Sequence, residues 1–316
     1  MKLASYLYKR TASFGVVKPG GIFDVPANWP DGPAGLLEAL QAGADALRRI
    51  SEIAESADNL LGESEVALIA PIPHPPKIVA LAGNYAKHIA ESNLAKGLTT
   101  NAAVDTTPRP FLMPATAVAG PNTRVSWPCY SRQIDYEIEL AVVIGAECKC
   151  VSPEQASDYI AGYTIVNDIS ARSTTFAEGR SVRPWDEFYD WLAGKWADGF
   201  CPMGPHLVTA DEVGDPTDLA LELKVNGRTR QKETTAAMIF DVYHIVSFVS
   251  HLMTLTPGDV IATGTPSGVG MADGRFLEAG DEITCSIERI GTMTNTLDDE
   301  PENYYAPCRA AAEDTQ

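Results

Sequence analysis

A set of acidic residues has the spacing with the clearest chemical meaning in this sequence. Asp135, Glu137 and Glu139 alternate along a segment that runs into the continuously apolar stretch 141–144. Side chains alternate between the two faces of a β-strand, so these three carboxylates are predicted to share one face. Asp168 follows a second apolar strand, and carboxylate oxygens are the ligands that hard divalent cations prefer. Glu137, Glu139 and Asp168 are therefore predicted to bind Mg²⁺, with Mn²⁺ or Ca²⁺ as alternatives.

The alternating acids also fit a solvated strand face, and the pattern alone leaves that interpretation open. The apolar stretch 141–144 favours a buried strand, and an unpaired buried carboxylate is costly, so buried acids need a partner. We therefore prefer a metal site. Two roles remain open for Asp135. It would either support the metal ligands without binding the metal itself, or cap the strand.

His88 and Glu91 stand three residues apart in a segment predicted to form a short helix after the strand 78–82. Residues at this spacing are neighbours on a helix, so the carboxylate can fix one imidazole tautomer and raise its basicity. Such a pair is suited to general-base catalysis. A surface ion pair is the alternative, and the preceding loop Gly83 to Tyr85, which ends a buried strand, favours catalysis.

The order of these segments is similar to that in the fumarylacetoacetate hydrolase family. The resemblance covers roughly residues 75 to 290, most of the chain. It rests on Gly83-Asn84-Tyr85 with His88 and Glu91, Glu137-x-Glu139-Leu140, Asn167-Asp168-x-Ser-Ala-Arg172, the surroundings of Lys195 and the Gly-rich segment 255–270. It implies an α+β fold that is mostly β, a mixed β-roll with the active site at its open end. It also implies a homodimer built on that β-roll.

The resemblance assigns roles to the two groups of residues described above. Glu137, Glu139 and Asp168 resemble the metal ligands of the family. His88 and Glu91 resemble the pair that activates the water that attacks the substrate.

Further site residues are implied by the same resemblance. Lys195 is similar to the catalytic lysine of the family, whose cation stabilises an oxyanion, although a lysine without context is expected to be exposed. Arg172 resembles the arginine that shapes the metal pocket. The expected substrate-binding residues are Tyr85, Arg172, Gly264 and Thr265, and Thr265 resembles the residue whose hydroxyl holds the substrate carboxylate.

The function that we expect is a metal-dependent hydrolase that cleaves a carbon–carbon bond of a 2,4-dioxo acid. An acylpyruvate or fumarylpyruvate type of substrate would give pyruvate and a carboxylic acid. His88 would take a proton from water, the hydroxide would attack C4, and Lys195 would stabilise the alkoxide. An oxaloacetate-type decarboxylase and a 2-hydroxydienoate isomerase are the alternatives within the family. A non-catalytic 2-oxo acid binding protein is the alternative of another class.

Two positions depart from the family pattern where relatives face the substrate. Met113 stands where many members carry Lys, and Thr175 stands where some carry Gln. Neither supplies positive charge, so a neutral or hydroxylated acyl group is expected over a second carboxylate, and Arg180 or Arg183 would have to recognise a dianion. The polar stretch 92–109 is long for a connection and is predicted to be a lid that orders on binding.

Composition limits the partners and the compartment. The formal net charge of −18 disfavours nucleic acid and anionic membrane surfaces, because those partners require clustered Lys and Arg. The six cysteines show no Cys-x-x-Cys spacing, which argues against a zinc ribbon or a disulfide scaffold. The first residues lack the pattern of a signal peptide, and no apolar run is long enough for a membrane span. A small 2-oxo acid substrate and a cytoplasmic location are expected.

The elements that must position these residues divide the chain. The acids are expected on the strands 134–144 and 160–167, and long amphipathic helices are predicted over 35–61 and 237–255. The predicted organisation is a small N-terminal α/β domain over 1–70, a Pro-rich linker over 71–76, the catalytic domain over 77–300 and an acidic mobile tail over 301–316.

Overall fold

The computed structural model describes residues 1–95 and 106–307. Its strands, in chain order, are β1 (Lys2–Tyr8), β2 (Thr11–Lys18), β3 (Gly21–Asp24), β4 (Val66–Ile69), β5 (Ile78–Leu81), β6 (Pro110–Met113), β7 (Val118–Ala119), β8 (Arg124–Val125), β9 (Ile134–Asp135), β10 (Ile138–Ile144), β11 (Ile160–Asn167), β12 (Ser170–Ala171), β13 (Cys201–Thr209), β14 (Ala220–Val225), β15 (Arg228–Thr234), β16 (Val260–Ala262), β17 (Glu282–Ile287) and β18 (Gly291–Leu297). The helices are α1 (Val25–Asn28), α2 (Leu36–Gln41), α3 (Ala44–Glu55), α4 (Ala86–Ala95), α5 (Asp186–Ala193), α6 (Ala210–Val213), α7 (Val242–Leu252) and α8 (Gly270–Asp273).

Most strands belong to two mixed sheets. The larger sheet has eleven strands within the described residues, in the order β3-β2-β1-β13-β11-β10-β16-β5-β6, with β4 paired to β1 and β7 paired to β13. The smaller sheet has the order β15-β14-β17-β18-β8, and β12 and β9 form a separate pair. This architecture confirms the predicted α+β class that is mostly β.

The N-terminal strands continue the larger sheet. Strand β1 pairs antiparallel with β13, with Lys2 opposite Val208 and Leu3 opposite Leu207. Strands from both sides of the Pro-rich stretch 71–76 therefore share one sheet. The domain boundary predicted at that stretch stays a prediction.

Strand β10 lies at the centre of the larger sheet, between β11 and β16. All its residues are buried, because one face contacts a core that includes α7 and the other face contacts a core that includes α2 and α3. Strands that are covered on both faces read as continuously apolar runs. This covering accounts for the stretch 141–144.

Three predicted elements are interrupted or shorter in the structure. The helix predicted over 35–61 is two helices, α2 and α3, because Gly43 between them has φ 85°, outside the helical region. The helix predicted over 237–255 begins only after Asp241, whose carboxylate accepts the backbone N–H groups of Tyr243 and His244 as an N-cap. The strand predicted over 134–144 is broken between β9 and β10.

Parts of two predicted segments, residues 96–105 of the lid and 308–316 of the tail, lie outside the described residues. Among the helices that the structure does describe, none has the length and apolar character needed to cross a membrane.

Candidate active site

Three buried carboxylates form the centre of the site. Glu137, Glu139 and Asp168 are 6%, 1% and 1% exposed, and one ligand atom of each lies within 4.8 Å of the others. Glu139 is on β10 and Asp168 follows β11, and these strands are paired with Ile138 opposite Asn167. The structure thus brings together the three residues that the sequence predicted as metal ligands.

The break in the strand between β9 and β10 orients Glu137. Its backbone N–H donates to Asn167 Oδ1 at 2.8 Å, and its carbonyl accepts the N–H of Asp168 at 2.9 Å. Asp135, one residue before the break, accepts the N–H of Tyr136. The predicted continuous strand is therefore interrupted between Asp135 and Glu137, although the carboxylates of both residues contact Arg172.

Asp135 contacts the site from outside the cluster. Its carboxylate accepts the backbone N–H groups of Gly270 at 2.6 Å and Met271 at 3.0 Å, and it pairs with Arg172 Nε at 2.9 Å. Arg172 also donates to Glu137. These contacts link Asp135 to the cluster through Arg172, and its role in support of a metal stays a prediction.

Lys195 is buried against the acidic cluster and not exposed. Its side chain is 2% exposed, and Nζ lies 2.8 Å from Glu137 Oε2 and 2.7 Å from Asp168 Oδ2. The lysine and Arg172 thus place positive charge on the cluster from two sides. Removal of one partner from a buried ion pair strongly destabilises a protein, because the other charge is left uncompensated.

The acids differ in how readily they ionise. Burial acts to raise the pKa of Glu137, but the charges of Lys195 and Arg172 outweigh it and hold that pKa low. Burial and the neighbouring Asp168 raise the pKa of Glu139 well above its usual value, and burial also raises the pKa of Asp168 despite Lys195. If all three carboxylates were ionised, their negative charge would exceed that of the two cations, and the raised pKa values of Glu139 and Asp168 reflect this crowding.

The donor set fits a divalent cation. Glu139 Oε1 and Asp168 Oδ1 are buried and have no hydrogen-bond partner among the described residues. Buried polar atoms are nearly always satisfied, so oxygens of this kind indicate a missing partner. Carboxylate oxygens without donors are suited to a hard cation such as Mg²⁺ or Mn²⁺.

His88 and Glu91 form the predicted pair on α4. His88 Nδ1 lies 3.1 Å from Glu91 Oε1, and both Glu91 oxygens accept the backbone N–H of Gly268 at 3.0 Å. Gly268 has φ 103°, and an added Cβ would lie 2.2 Å from the carbonyl oxygen of Arg230. A glycine turn thus fixes the carboxylate that orients the imidazole, and His88 faces the main cavity. This arrangement argues against an idle surface pair.

The residues expected to bind substrate are partly engaged within the protein. The Thr265 hydroxyl donates to Ile138 O at 3.0 Å and accepts from Gln231 Nε2 at 2.8 Å, and Thr265 lines the cavity. The N–H of Gly264 donates to Glu139 Oε2 at 2.7 Å. Tyr85 is 1% exposed, and its hydroxyl is buried with no partner among the described residues.

A cavity of about 590 Å³ connects these groups. One part of its wall is formed by His88, Glu137, Asp168, Arg172, Lys195 and Thr265, and another by Arg109, Phe111, Arg180, Asp190 and Trp191. Pockets that bind small molecules commonly have this size.

The departures from the family pattern lie away from this cavity. Met113 is 6% exposed and packs in the core beside the N-terminal helices. Thr175 is buried, and its hydroxyl donates to the carbonyl of Tyr305 at 2.6 Å. Neither residue lines the cavity. The preference for a neutral acyl group was expected because these two residues would face the substrate. Their positions in the structure do not support that expectation.

Gln231 is a site residue that the sequence analysis missed. It is 0% exposed on β15, where Oε1 accepts from Ile138 N at 3.0 Å and Nε2 donates to Thr265 and to the carbonyl of Pro266, both at 2.8 Å. The strand Arg228–Thr234 is almost entirely polar, so no apolar alternation marked it. Only its pairing with the partly buried β14 reveals that one glutamine in it is in the interior.

Fold and site define an enzyme class, and the comparison with known families identifies it. Residues 77–298 match the family described as fumarylacetoacetate (FAA) hydrolase C-terminal. The chain belongs to this family, as the sequence resemblance predicted.

Particular relatives show how the family varies. A mitochondrial oxaloacetate tautomerase of Bos taurus is 37% identical over 280 residues, which cover 88% of this chain and 84% of the relative. The structure of a fumarylacetoacetate hydrolase from Exiguobacterium antarcticum has a TM-score of 0.78 and 34% identity, over 95% of this chain and all of that chain. Maleylpyruvate hydrolase from Sphingobium, solved with manganese(II) and pyruvate, has a TM-score of 0.74 and 31% identity over 95% of this chain and 100% of its own.

Proposed function

We propose that this chain catalyses proton transfer at the carbon next to the 2-oxo group of an oxaloacetate-type acid, interconverting its keto and enol forms. The observation that carries the proposal is the anchored pair of His88 and Glu91 beside the acidic cluster. The likeness to an oxaloacetate tautomerase over 88% of the chain supports it. This proposal replaces carbon–carbon hydrolysis as the first choice, because tautomerisation needs only a placed base and a polarised carbonyl.

In this proposal His88 carries the proton. Nδ1 is held by Glu91, so Nε2 is the ring nitrogen that accepts a proton from C3. The same nitrogen returns that proton to the oxygen on C2, and the bond electrons move from C3–H into the new C2–C3 double bond. No atom is gained or lost. A placed base of this kind typically contributes about 10²–10⁴-fold to rate.

Glu137, Glu139 and Asp168 would hold the metal ion, for which we propose Mg²⁺. When bound there, the cation would supply Lewis acidity toward a 2-oxo acid. Lys195 keeps Glu137 and Asp168 in place and adds positive charge beside the substrate. A homodimer and a cytoplasmic location are further proposals, and the Bos taurus relative is mitochondrial.

The test follows enol oxaloacetate by its ultraviolet absorbance, with purified protein and Mg²⁺. The wild type should accelerate the decay of the enol, and His88→Gln should lower kcat by about 10²–10⁴-fold. His244→Gln is the matched control. His244 also lies three residues from an acid, with Nδ1 2.8 Å from Asp241, but it is 58% exposed on α7 away from the cavity. Its kcat should equal that of the wild type.

The same preparation separates the alternatives. Decarboxylation would release CO₂ from oxaloacetate, and a binding protein would accelerate none of the reactions. If the wild type leaves the decay of the enol at the uncatalysed rate, the tautomerase proposal is wrong. If His88→Gln keeps the wild-type kcat while its circular dichroism is native, the assignment of the base is wrong.

Hydrolysis of an acylpyruvate is the second candidate, because the cavity of about 590 Å³ is larger than oxaloacetate requires. In that reaction His88 takes a proton from water, the hydroxide attacks C4, and the C3–C4 bond breaks to give a carboxylate and the enolate of pyruvate. A proton then restores pyruvate. Release of pyruvate from acetopyruvate, faster than tautomerisation of oxaloacetate, would favour this candidate.

A further inference from the structure

Among the described residues, four cationic side chains line the cavity, and three of them already pair with carboxylates. Lys195 and Arg172 pair with the acidic cluster and Asp135, as described above. Arg180 forms a two-point pair with Asp190 at 2.8 and 2.6 Å. A paired guanidinium has little charge left for a ligand. Arg180, which the sequence analysis named as a recogniser of dianions, is therefore occupied.

Arg109 is the exception among the described cations of the cavity. Its side chain is exposed and lines the cavity, and within the described residues no carboxylate lies in ion-pair contact with it. On α5, Asp186 and Asp190 are already paired with Arg180. A solvated arginine at the wall of a cleft, with no carboxylate partner among the residues that the structure describes, is suited to attract anions.

The backbone around Arg109 is rigid. Pro108 and Pro110 flank it, and proline both fixes its own φ and restricts the residue before it to extended conformations. The carbonyl of Arg109 accepts the N–H of Ala82 at 3.0 Å, and Pro110 pairs with Leu81 where β6 begins. The arginine thus starts from a fixed position next to the loop that leads to α4.

The direction of Arg109 follows from its neighbour Phe111. Residues two apart on an extended segment face the same side, about 7 Å apart. Phe111 faces the site, because Lys195 Nζ lies 5.9 Å from its ring centroid and Trp191 packs against it at 4.9 Å. Leu112, between the alternating positions, is 51% exposed on the other side. Arg109 therefore lies on the same side of this segment as Phe111, which agrees with its position in the cavity wall that Lys195 also lines.

We propose that Arg109 determines specificity by binding the distal carboxylate of a 2-oxo dicarboxylate. The inference rests on the proposed function, since it assumes that the 2-oxo end of the substrate lies at the acidic cluster. A guanidinium matches a carboxylate with two parallel hydrogen bonds, which a methyl or hydroxyl group cannot accept in the same way. The preference for a neutral acyl group, expected from Met113 and Thr175, is thereby reversed.

The experiment measures binding and not turnover. Calorimetry with Mg²⁺ compares 2-oxoglutarate with 2-oxopentanoate, which has the same chain length and a methyl group in place of the distal carboxylate. The wild type should bind the dicarboxylate more tightly. Arg109→Ala should weaken that binding by about 10- to 100-fold, the range for hydrogen bonds to charged groups, and leave 2-oxopentanoate unchanged. Arg109→Lys should restore part of the difference.

Two control variants test whether the effect on binding is specific to Arg109. Arg48→Ala removes an arginine that is 69% exposed on α3 and paired with Asp45, and it should change neither affinity. Arg180→Ala removes the paired arginine of the cavity, and the preference for the dicarboxylate should persist. If the preference is lost in Arg180→Ala and kept in Arg109→Ala, the proposal is overturned.

The ratio of the affinities for 2-oxoglutarate and 2-oxopentanoate is measured without turnover, so it does not depend on which reaction the protein catalyses. If oxaloacetate is not tautomerised but the ratio depends on Arg109, the proposed function fails and the subsite stands. If oxaloacetate is tautomerised but the wild type binds both acids equally, the subsite fails and the function stands. If neither acid binds, the subsite proposal is overturned, and the tautomerase assay alone decides the proposed function.

Discussion

Replacement of Lys195 by Met is the most informative perturbation of stability. The two side chains have similar length, but Met lacks the ammonium that lies 2.8 Å from Glu137 and 2.7 Å from Asp168. Arg172, which pairs with Glu137 and Asp135, would then be the one described cation left in ion-pair contact with the cluster. Loss of one partner of a buried pair costs about 3–5 kcal/mol, because the remaining charge is left uncompensated.

The expected size can be stated for both forms of the protein. Without metal, at roughly 2 °C per kcal/mol for a chain of this size, the Tm of Lys195→Met should fall by about 6–10 °C. A cation bound by Glu137, Glu139 and Asp168 would replace the missing charge. Mg²⁺ also stabilises the wild type, so the loss relative to the wild type shrinks only if the variant binds Mg²⁺ more tightly, as a cluster with one cation fewer should. A Kd that is 10- to 100-fold lower would recover about 1.4–2.7 kcal/mol of the loss.

The assay is thermal unfolding in a chelator and in excess Mg²⁺, with Lys77→Met as the matched control. Lys77 also pairs with a fully buried acid, Asp259, at 2.6 Å, but that pair lies outside the acidic cluster. Its variant should lose stability equally with and without Mg²⁺. If Lys195→Met is as stable as the wild type in chelator, or if Mg²⁺ rescues both variants alike, the charge balance argued for this cluster is refuted.

Two further predictions concern Gln231 and His206. Gln231→Leu leaves the N–H of Ile138 and the carbonyl of Pro266 without partners, so the free energy of unfolding in urea should fall by about 2–4 kcal/mol. KM should also rise, because Thr265 loses the hydrogen bond from Gln231. Burial, and then the charge of Lys2, lower the pKa of His206 from 6.5 to about 4. As the pH falls, the imidazole therefore takes up a proton in the unfolded chain before it does so in the folded protein. The stability that His206 contributes is fully present above the pKa of the unfolded chain and is lost as the pH falls towards the pKa of the folded protein. The loss from His206, discounted for its partial exposure, should be roughly 1 kcal/mol between about pH 7 and about pH 5, and His206→Gln should remove it.

The acidic cluster could be predicted because its signals are local. The alternation of Glu137 and Glu139 and the apolar residues after them mark a buried strand with charge inside, and Asp168 ends the next one. The break before Glu137 could not be predicted, because it depends on partners such as Asn167 and Gly270 that only the tertiary structure supplies. The local sequence pattern therefore predicted which residues form the acidic cluster, but not the path of the backbone between them.

Lys195 was named from the family resemblance and not from a local pattern, because its burial depends on carboxylates from two other elements that meet its ammonium. Met113 is two residues from the cavity residue Phe111 and packs in the core that Phe111 also contacts, but it does not line the cavity. Gly43, in contrast, is a local signal for the division between α2 and α3 that the helix predicted over 35–61 disregarded.

The bonds of Gln231 also bear on how the protein folds. This residue connects to Ile138 across 93 positions of sequence and to Thr265 across 34, and it reaches them from the smaller sheet. Closure of such long loops is entropically costly, and non-local β pairing is slow. The walls of the cavity are therefore completed only when both sheets have formed and docked. A partly folded chain would hold the acids without the framework around them, so catalytic competence should arrive with the last kinetic phase of refolding.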